Sequence, residues 1–222
     1  MLLFLPMITI PFLFGTRISW IGYTFLKAWS GIFSILTFIR YSIHGKENFV
    51  RGKSYIYVSN HTSFLDIPGV CLTIPGEFRP LAKKELLKLP VFGMIAKGAA
   101  IIVDRSSPES RKKSIDKLKQ VLKEGINILL FAEGTQNRSD DVLQPFHDGA
   151  FRIAIDAQQP IIPIVIIGAG KLMPPGTVKL WPGKIKIIVG KEIQTAGLTS
   201  KDSNQLKTQT FETMKGMIMD NY

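Results

Sequence analysis

Two residue types with proton-transfer chemistry stand five positions apart, His61 and Asp66, in the stretch Ser59-Asn60-His61-Thr62-Ser63-Phe64-Leu65-Asp66. An imidazole oriented by a carboxylate acts as a directed general base. Residues five apart on one straight helix lie about 140° apart at 3.6 residues per turn, so the pair cannot meet in mid-helix. It meets if His61 precedes a helix and Asp66 lies near its start. Asn60, Thr62 and Ser63 favour such a start because their side chains cap free N–H groups. Pro68 suits a first turn, where its missing N–H costs little. The competing reading is a capped helix start with an incidental histidine.

The apolar run at 55–58 reads as a buried strand, and 67–72 as the start of a helix. This places the pair at the carboxyl end of a strand, where open α/β sheets put their ligand sites. Further strands are expected at 78–82, 99–103, Asn127–Phe131, Ile161–Ile167 and 184–189. A short helix starts at Lys83 and stops at Pro90. A longer one opens at Ser107-Pro108-Glu109 and stops at Gly125, with Lys112, Lys113, Lys119 and Lys123 on its outer face. That face suits either solvent or an anionic surface. Two more helices are expected, at 149–158 and within 201–219. Strands alternating with helices, several of them apolar throughout, predict an α/β domain with a mostly parallel central sheet flanked by helices. Pro163, inside an apolar strand, hints at an edge or a bulge. The motif loops all follow strands and are expected to converge on one rim.

The first forty residues differ. Residues 1–14 are apolar, but a helix of that length spans about 21 Å against a hydrocarbon core of roughly 30 Å. They lack the basic start of a signal peptide. Residues 18–39 would span about 33 Å. Arg17, Thr24, Lys27, Gly31 and Ser34 recur at helical spacing, opposite Ile21, Phe25, Trp29, Ile32, Phe33 and Leu36. That pattern predicts a helix lying in the membrane interface, with Trp20, Tyr23 and Trp29 near headgroup depth. Residues 1–40 are thus read as a membrane-anchoring two-helix segment before an α/β domain at 41–222. A true span, or a pair of core helices, is the alternative. Arg40, Lys46, Arg51 and Lys53 would hold the globular part on the cytoplasmic side of an inner membrane.

The chain has 222 residues, with 28 Lys+Arg against 17 Asp+Glu and a net charge of +11. That charge favours an acidic partner, whether anionic lipid, an acidic substrate or an acidic carrier protein. The basic runs lack interleaved aromatics, so nucleic acid is not expected. Cys71 is the only cysteine, which rules out an intrachain disulfide. No zinc-like spacing, Gly-rich phosphate loop or Gly-x-Ser-x-Gly elbow is present, so neither a metal nor a serine nucleophile is implied.

Four blocks in this order resemble the glycerolipid acyltransferase family typified by the 1-acylglycerol-3-phosphate acyltransferases of the bacterial PlsC type. They are Asn60 through Asp66; Lys84-Glu85-Leu86 through Pro90, Gly93 and Gly98 to Asp104-Arg105; Phe131-Ala132-Glu133-Gly134-Thr135; and Pro160-Ile161-Ile162-Pro163-Ile164. The resemblance implies acyl transfer from a thioester of coenzyme A or acyl carrier protein to the free hydroxyl of lysophosphatidate. No cofactor beyond that co-substrate is implied. His61 would be the base and Asp66 its orienter. Lys84, Arg105, Glu133, Gly134 and Thr135 would bind substrate, with Arg105 on the acceptor's phosphate. Glu133 would either hydrogen-bond the acceptor's glycerol hydroxyl or brace Arg105. Cys71 need not be a nucleophile.

There are departures from the family pattern. Ala132 stands where the family has Pro, and Gln136 where it usually has Arg. Gln136 puts a phosphate contact there in doubt and admits another acceptor, such as a lyso-ornithine lipid. Arg138 would restore the charge only in a differently shaped loop. His147 stands in place of a Lys, either as a second titrating group or as a surface loop residue. A non-catalytic lipid-binding protein on the same fold is a further alternative.

Overall fold

The computed structural model describes residues 2–50, 52–103 and 108–221. Helices α1 (Leu5–Leu13) and α2 (Ser19–Leu36) lead into strand β1 (Ile39–His44). Then follow β2 (Ile56–Ser59), α3 (Asp66–Thr73), β3 (Phe78–Lys83), a 3-10 turn, α4 (Phe92–Ala99) and β4 (Ile101–Val103). The second half runs α5 (Pro108–Lys123), β5 (Asn127–Phe131), α6 (Gly149–Ala157), β6 (Ile161–Ile167), short α7 (Ala169–Leu172), β7 (Gly183–Val189) and α8 (Ser203–Met219).

The seven strands form one sheet in the order β1-β7-β6-β2-β5-β3-β4. All pairs are parallel except β6 with β7. The unbroken apolar strands follow from helices covering both faces. Ile56, Val58, Ile128 and Leu130 point to a core with Leu118 of α5, Phe151 of α6 and Met214 of α8. Tyr57, Leu129, Ile162 and Ile164 point the other way, toward Ile8 of α1, Tyr23 and Leu26 of α2, Val70 of α3 and Ile95 of α4.

The α/β expectation holds, with β1, α4 and short α7 unforeseen. Strand β1 pairs with β7 along its whole length, although its Arg40 and Ser42 interrupt any apolar run. Helix α4 lies within the second block and takes Ala99 from the expected strand, leaving β4 only three residues.

Pro163 marks no edge, but it does mark a bulge: Ile164 pairs with Val189 and Ile161 with Ile193, so the partner side carries one extra residue opposite the proline. Strand β6 is internal, paired on one side with β2 and on the other with β7. The proline is tolerated because it sits where the β6–β7 ladder ends. Its carbonyl accepts from Gly190 N–H, and no N–H is needed from the ring nitrogen. A Cβ on Gly190 would lie 2.7 Å from the Pro163 Cγ, so glycine makes room for the ring.

For the N-terminal helices the alternative of a true span fails. Among the described residues no helix is long and apolar enough to cross a membrane. The buried stripe of α2 is Ser19, Gly22, Tyr23, Leu26 and Ser30, packed over the sheet as in the core-helix alternative, while the bulky face read as membrane-facing stays half-buried or exposed. Small residues let the helices approach closely: a Cβ on Gly22 would come within 2.6 Å of the Ile8 carbonyl oxygen of α1. Several bulky residues are left outside, among them Leu3, Leu13, Phe14, Ile35, Leu36 and Phe38. Arg51 lies outside the described residues.

Candidate active site

Strands β2 and β5 end level with each other, Ser59 beside Phe131, so their two loops emerge together on one rim. The first loop carries His61 and the second carries Glu133. Helix α3 begins at Asp66, which brings its carboxylate back over the loop that precedes it. His61 Nδ1 lies 2.7 Å from Asp66 Oδ2. The same oxygen accepts from the N–H groups of Thr62, at 2.7 Å, and Ser63, at 2.9 Å. The helix entry is held from both sides: the helix's first carboxylate satisfies the loop N–H groups, and Ser63 Oγ, one of the expected capping groups, accepts from Leu65 N–H at 3.2 Å. With Nδ1 donating to Asp66, Nε2 is the nitrogen left to take a proton. Among the described residues Nε2 makes no hydrogen bond, and the ring stacks on Phe131 at 4.1 Å between centroids.

Two further side chains hold this loop. Asn60 is buried; its Nδ2 donates to the Ile166 carbonyl at 2.9 Å and its Oδ1 accepts from Ile166 N–H at 2.7 Å, which locks the loop to β6. Glu133 is 3% exposed and spends both oxygens on backbone: Oε1 accepts from His61 N–H and Oε2 from Gln144 N–H, each at 2.8 Å. Burial raises its carboxyl above the usual 4.5, and the two N–H donors oppose that shift.

An apolar cavity of about 680 Å³ opens beside His61, a volume in the range of small-molecule sites. Phe64, Leu89 and Phe92 stand at its wall and are exposed to solvent. Tyr23, Leu26, Cys71, Phe78 and Ala99 line it further in and are buried. Tyr23 Oη donates to the Ala99 carbonyl there. Burial pushes the Cys71 thiol up to about 12, so it is a neutral wall residue and not a nucleophile. The arrangement can take a proton at the edge of a hollow shaped for an apolar chain.

The Acyltransferase family model matches residues 40–167, which carry the His–Asp loop, the second and third blocks and β6. This chain belongs to the acyltransferase family. An uncharacterized acyltransferase of Schizosaccharomyces pombe is 34% identical over 89% of this chain and 72% of its own. A chloroplast 1-acyl-sn-glycerol-3-phosphate acyltransferase of Brassica napus is 33% identical over 75% of this chain. The human 1-acyl-sn-glycerol-3-phosphate acyltransferase alpha is 32% identical over 74%. The chain spans only 48% of the plant protein and 58% of the human one. The 1-acyl-sn-glycerophosphate acyltransferase PlsC of Thermotoga maritima has the same fold, with a TM-score of 0.77, 23% identity, and coverage of 90% of this chain and 79% of that one. These findings agree with the resemblance to 1-acylglycerol-3-phosphate acyltransferases. The sequence relatives named are eukaryotic, so the bacterial type does not indicate a source for this chain.

Within this family frame the expected substrate residues fall in different places. Gly134 and Thr135 line the cavity beside His61. Gly134 has φ +70 and the His147 ring lies where its Cβ would be, 2.6 Å from Cδ2, so this position is closed to other residues. Glu133 is buried behind the loop and engaged on both oxygens. Lys84 is exposed at the start of the 3-10 turn, and its neighbour Lys83 lines the cavity. Arg105 lies outside the described residues. Asn60 was read as a capping residue and as the start of the first block, with no role as a tie to β6.

Proposed function

We propose that this chain is an acyltransferase that moves a fatty acyl group from a thioester to the free hydroxyl of lysophosphatidate, giving phosphatidate. The observation that carries the reading is the 2.7 Å His61–Asp66 contact at the edge of an apolar cavity. The acyl chain lies in the cavity, with its thioester carbonyl near His61. His61 Nε2 takes the proton of the acceptor hydroxyl as that oxygen attacks the carbonyl carbon. The new C–O bond forms, the C–S bond breaks, and the leaving thiolate receives the proton from the imidazolium. Asp66 holds the ring and stabilises its charged form. Glu133 acts as a strut that sets the His61 backbone; it does not bind the acceptor. Lys84 and Arg105 are assigned to the acceptor's phosphate on the family resemblance alone.

The relatives named 1-acyl-sn-glycerol-3-phosphate acyltransferases support this acceptor. The donor is coenzyme A or acyl carrier protein, and the +11 charge suits either. The exposed apolar residues of α1 and α2 support seating on a membrane surface, and the basic residues Arg40, Lys46, Arg51 and Lys53 are the ground for placing the domain on the cytoplasmic side. Gln136, which lines the cavity where the family usually has Arg, favours a second reading in which the acceptor is another lysolipid, such as lyso-ornithine lipid.

A donor-by-acceptor matrix tests both readings with purified protein in detergent. Transfer to lysophosphatidate is expected with at least one donor, and His61→Ala is expected to lower it by ~10²–10⁴-fold with unchanged circular dichroism. Transfer only to a different lysolipid would select the second reading. Lipid binding without transfer, alike in wild type and variant, would leave a non-catalytic lipid-binding protein.

A further inference from the structure

The loop after β5 places a guanidinium where the sequence pattern did not require one. Asn137 N–H donates to the His61 carbonyl at 2.6 Å, which joins the third block directly to the base's own residue. Asn137 is buried, and its side chain shapes the turn that follows: Oδ1 accepts from Ser139 N–H and Oγ–H, while Nδ2 donates to the Asp141 carbonyl. Arg138 is thereby held one residue from the His61 contact. Its guanidinium lies against Gly176, where a Cβ would be 3.0 Å from Nη2. That turn is tied to the same rim by Ser63 Oγ, which donates to the Met173 carbonyl at 2.7 Å.

Arg138 also stands at a boundary. On one side is the apolar cavity. On the other is a polar cleft of about 510 Å³ lined by Asn60, Thr62, Ser139 and Lys171 among others. Arg138 is the one described residue common to both linings. Asp140 and Asp141 face the cleft too, yet no ion pair joins either to Arg138 among the described residues. A guanidinium free of carboxylate partners, between an apolar hollow and a polar cleft, suits an amphiphile with a phosphate head. The planar fork can bind two phosphate oxygens at once.

Resting on the proposed acyl transfer, we propose that Arg138 binds the phosphate monoester of the acceptor, with a charge and a two-pronged fork that the neutral Gln136 lacks. The phosphates of coenzyme A share this chemistry, and the assay separates the two sources. Kinetics are measured for wild type, Arg138→Gln and Arg138→Lys with 1-acylglycerol-3-phosphate and an acyl-coenzyme A. Arg138→Gln is expected to raise the acceptor's KM about tenfold or more, with kcat and the donor's KM within about twofold. Arg138→Lys recovers part of the loss, because a point charge keeps the attraction without the fork. A raised donor KM assigns the arginine to the donor and overturns the proposal. A fall in kcat alone, or no change, also overturns it. Calorimetric titration of 1-acylglycerol-3-phosphate, and of 1-acylglycerol without the phosphate, reads the same contact without turnover. Weaker binding of the phosphorylated ligand alone in Arg138→Gln supports the site even if wild type transfers no acyl group, a result that would reject only the reading of the reaction. Equal binding of that ligand by both proteins overturns the site.

Discussion

Glu133 holds the His61 loop with a carboxylate removed from water, and that has a pH signature. Its folded pKa is raised, first by burial and against the pull of the Gln144 and His61 N–H groups. The folded state therefore binds this proton better than the unfolded chain does. The stability gained is fully present below the unfolded value near 4.5 and is lost as pH rises through the folded value. Glu133→Gln carries no such titration. The melting temperature of wild type relative to this variant is expected to fall as pH is raised from about 4 to about 7. A difference that rises with pH would show that the two N–H donors dominate. At this scale the site was partly legible: His61 and Asp66 are chemically distinctive and close in sequence. Asn60 and Glu133 were not assigned as loop anchors, because their partners, Ile166 and Gln144, are peptide groups with no sequence signature.

Helices α1 and α2 are organised by small residues, and packing decides which face is buried. Gly22 allows α2 to lie against the Ile8 carbonyl, while Tyr23 and Leu26 reach the core beneath the sheet. Gly22→Ala would place its Cβ 2.6 Å from backbone that cannot turn aside. The expected cost is about 1–3 kcal/mol, seen as a lower melting temperature in thermal unfolding. An unchanged melting temperature would mean that the two helices slide apart at no cost. The same close approach leaves the bulky face of α2, Ile21, Phe25, Trp29, Ile32, Phe33 and Leu36, half-buried or exposed. Strand β1 was missed because of its place in the sheet. It lies at the sheet edge, and its burial comes from β7, far along the chain.

As a whole, the molecule combines a net charge of +11 with bulky residues left in solvent on its N-terminal helices. Ile35 and Leu36 are 74% and 73% exposed, so replacing them leaves the core intact. Vesicles containing anionic lipid are expected to retain the protein in flotation, with less retained at high salt as charges are screened. The double change Ile35→Glu and Leu36→Glu is expected to abolish most of this retention at an unchanged melting temperature. Retention equal to wild type would place the membrane contact elsewhere.

Read alone, the sequence determined the alternation of strand and helix, the parallel sheet and the His–Asp pair with its geometric condition. All of these depend on short-range periodicity and spacing. Tertiary structure decided the rest. It turned the Gly22–Tyr23–Leu26 face of α2 inward, let Pro163 sit inside the sheet at a bulge, turned Glu133 into a backbone strut and set Arg138 between two hollows. Each depends on where a distant backbone N–H, carbonyl or glycine lies, and those positions exist only once the chain has closed on itself.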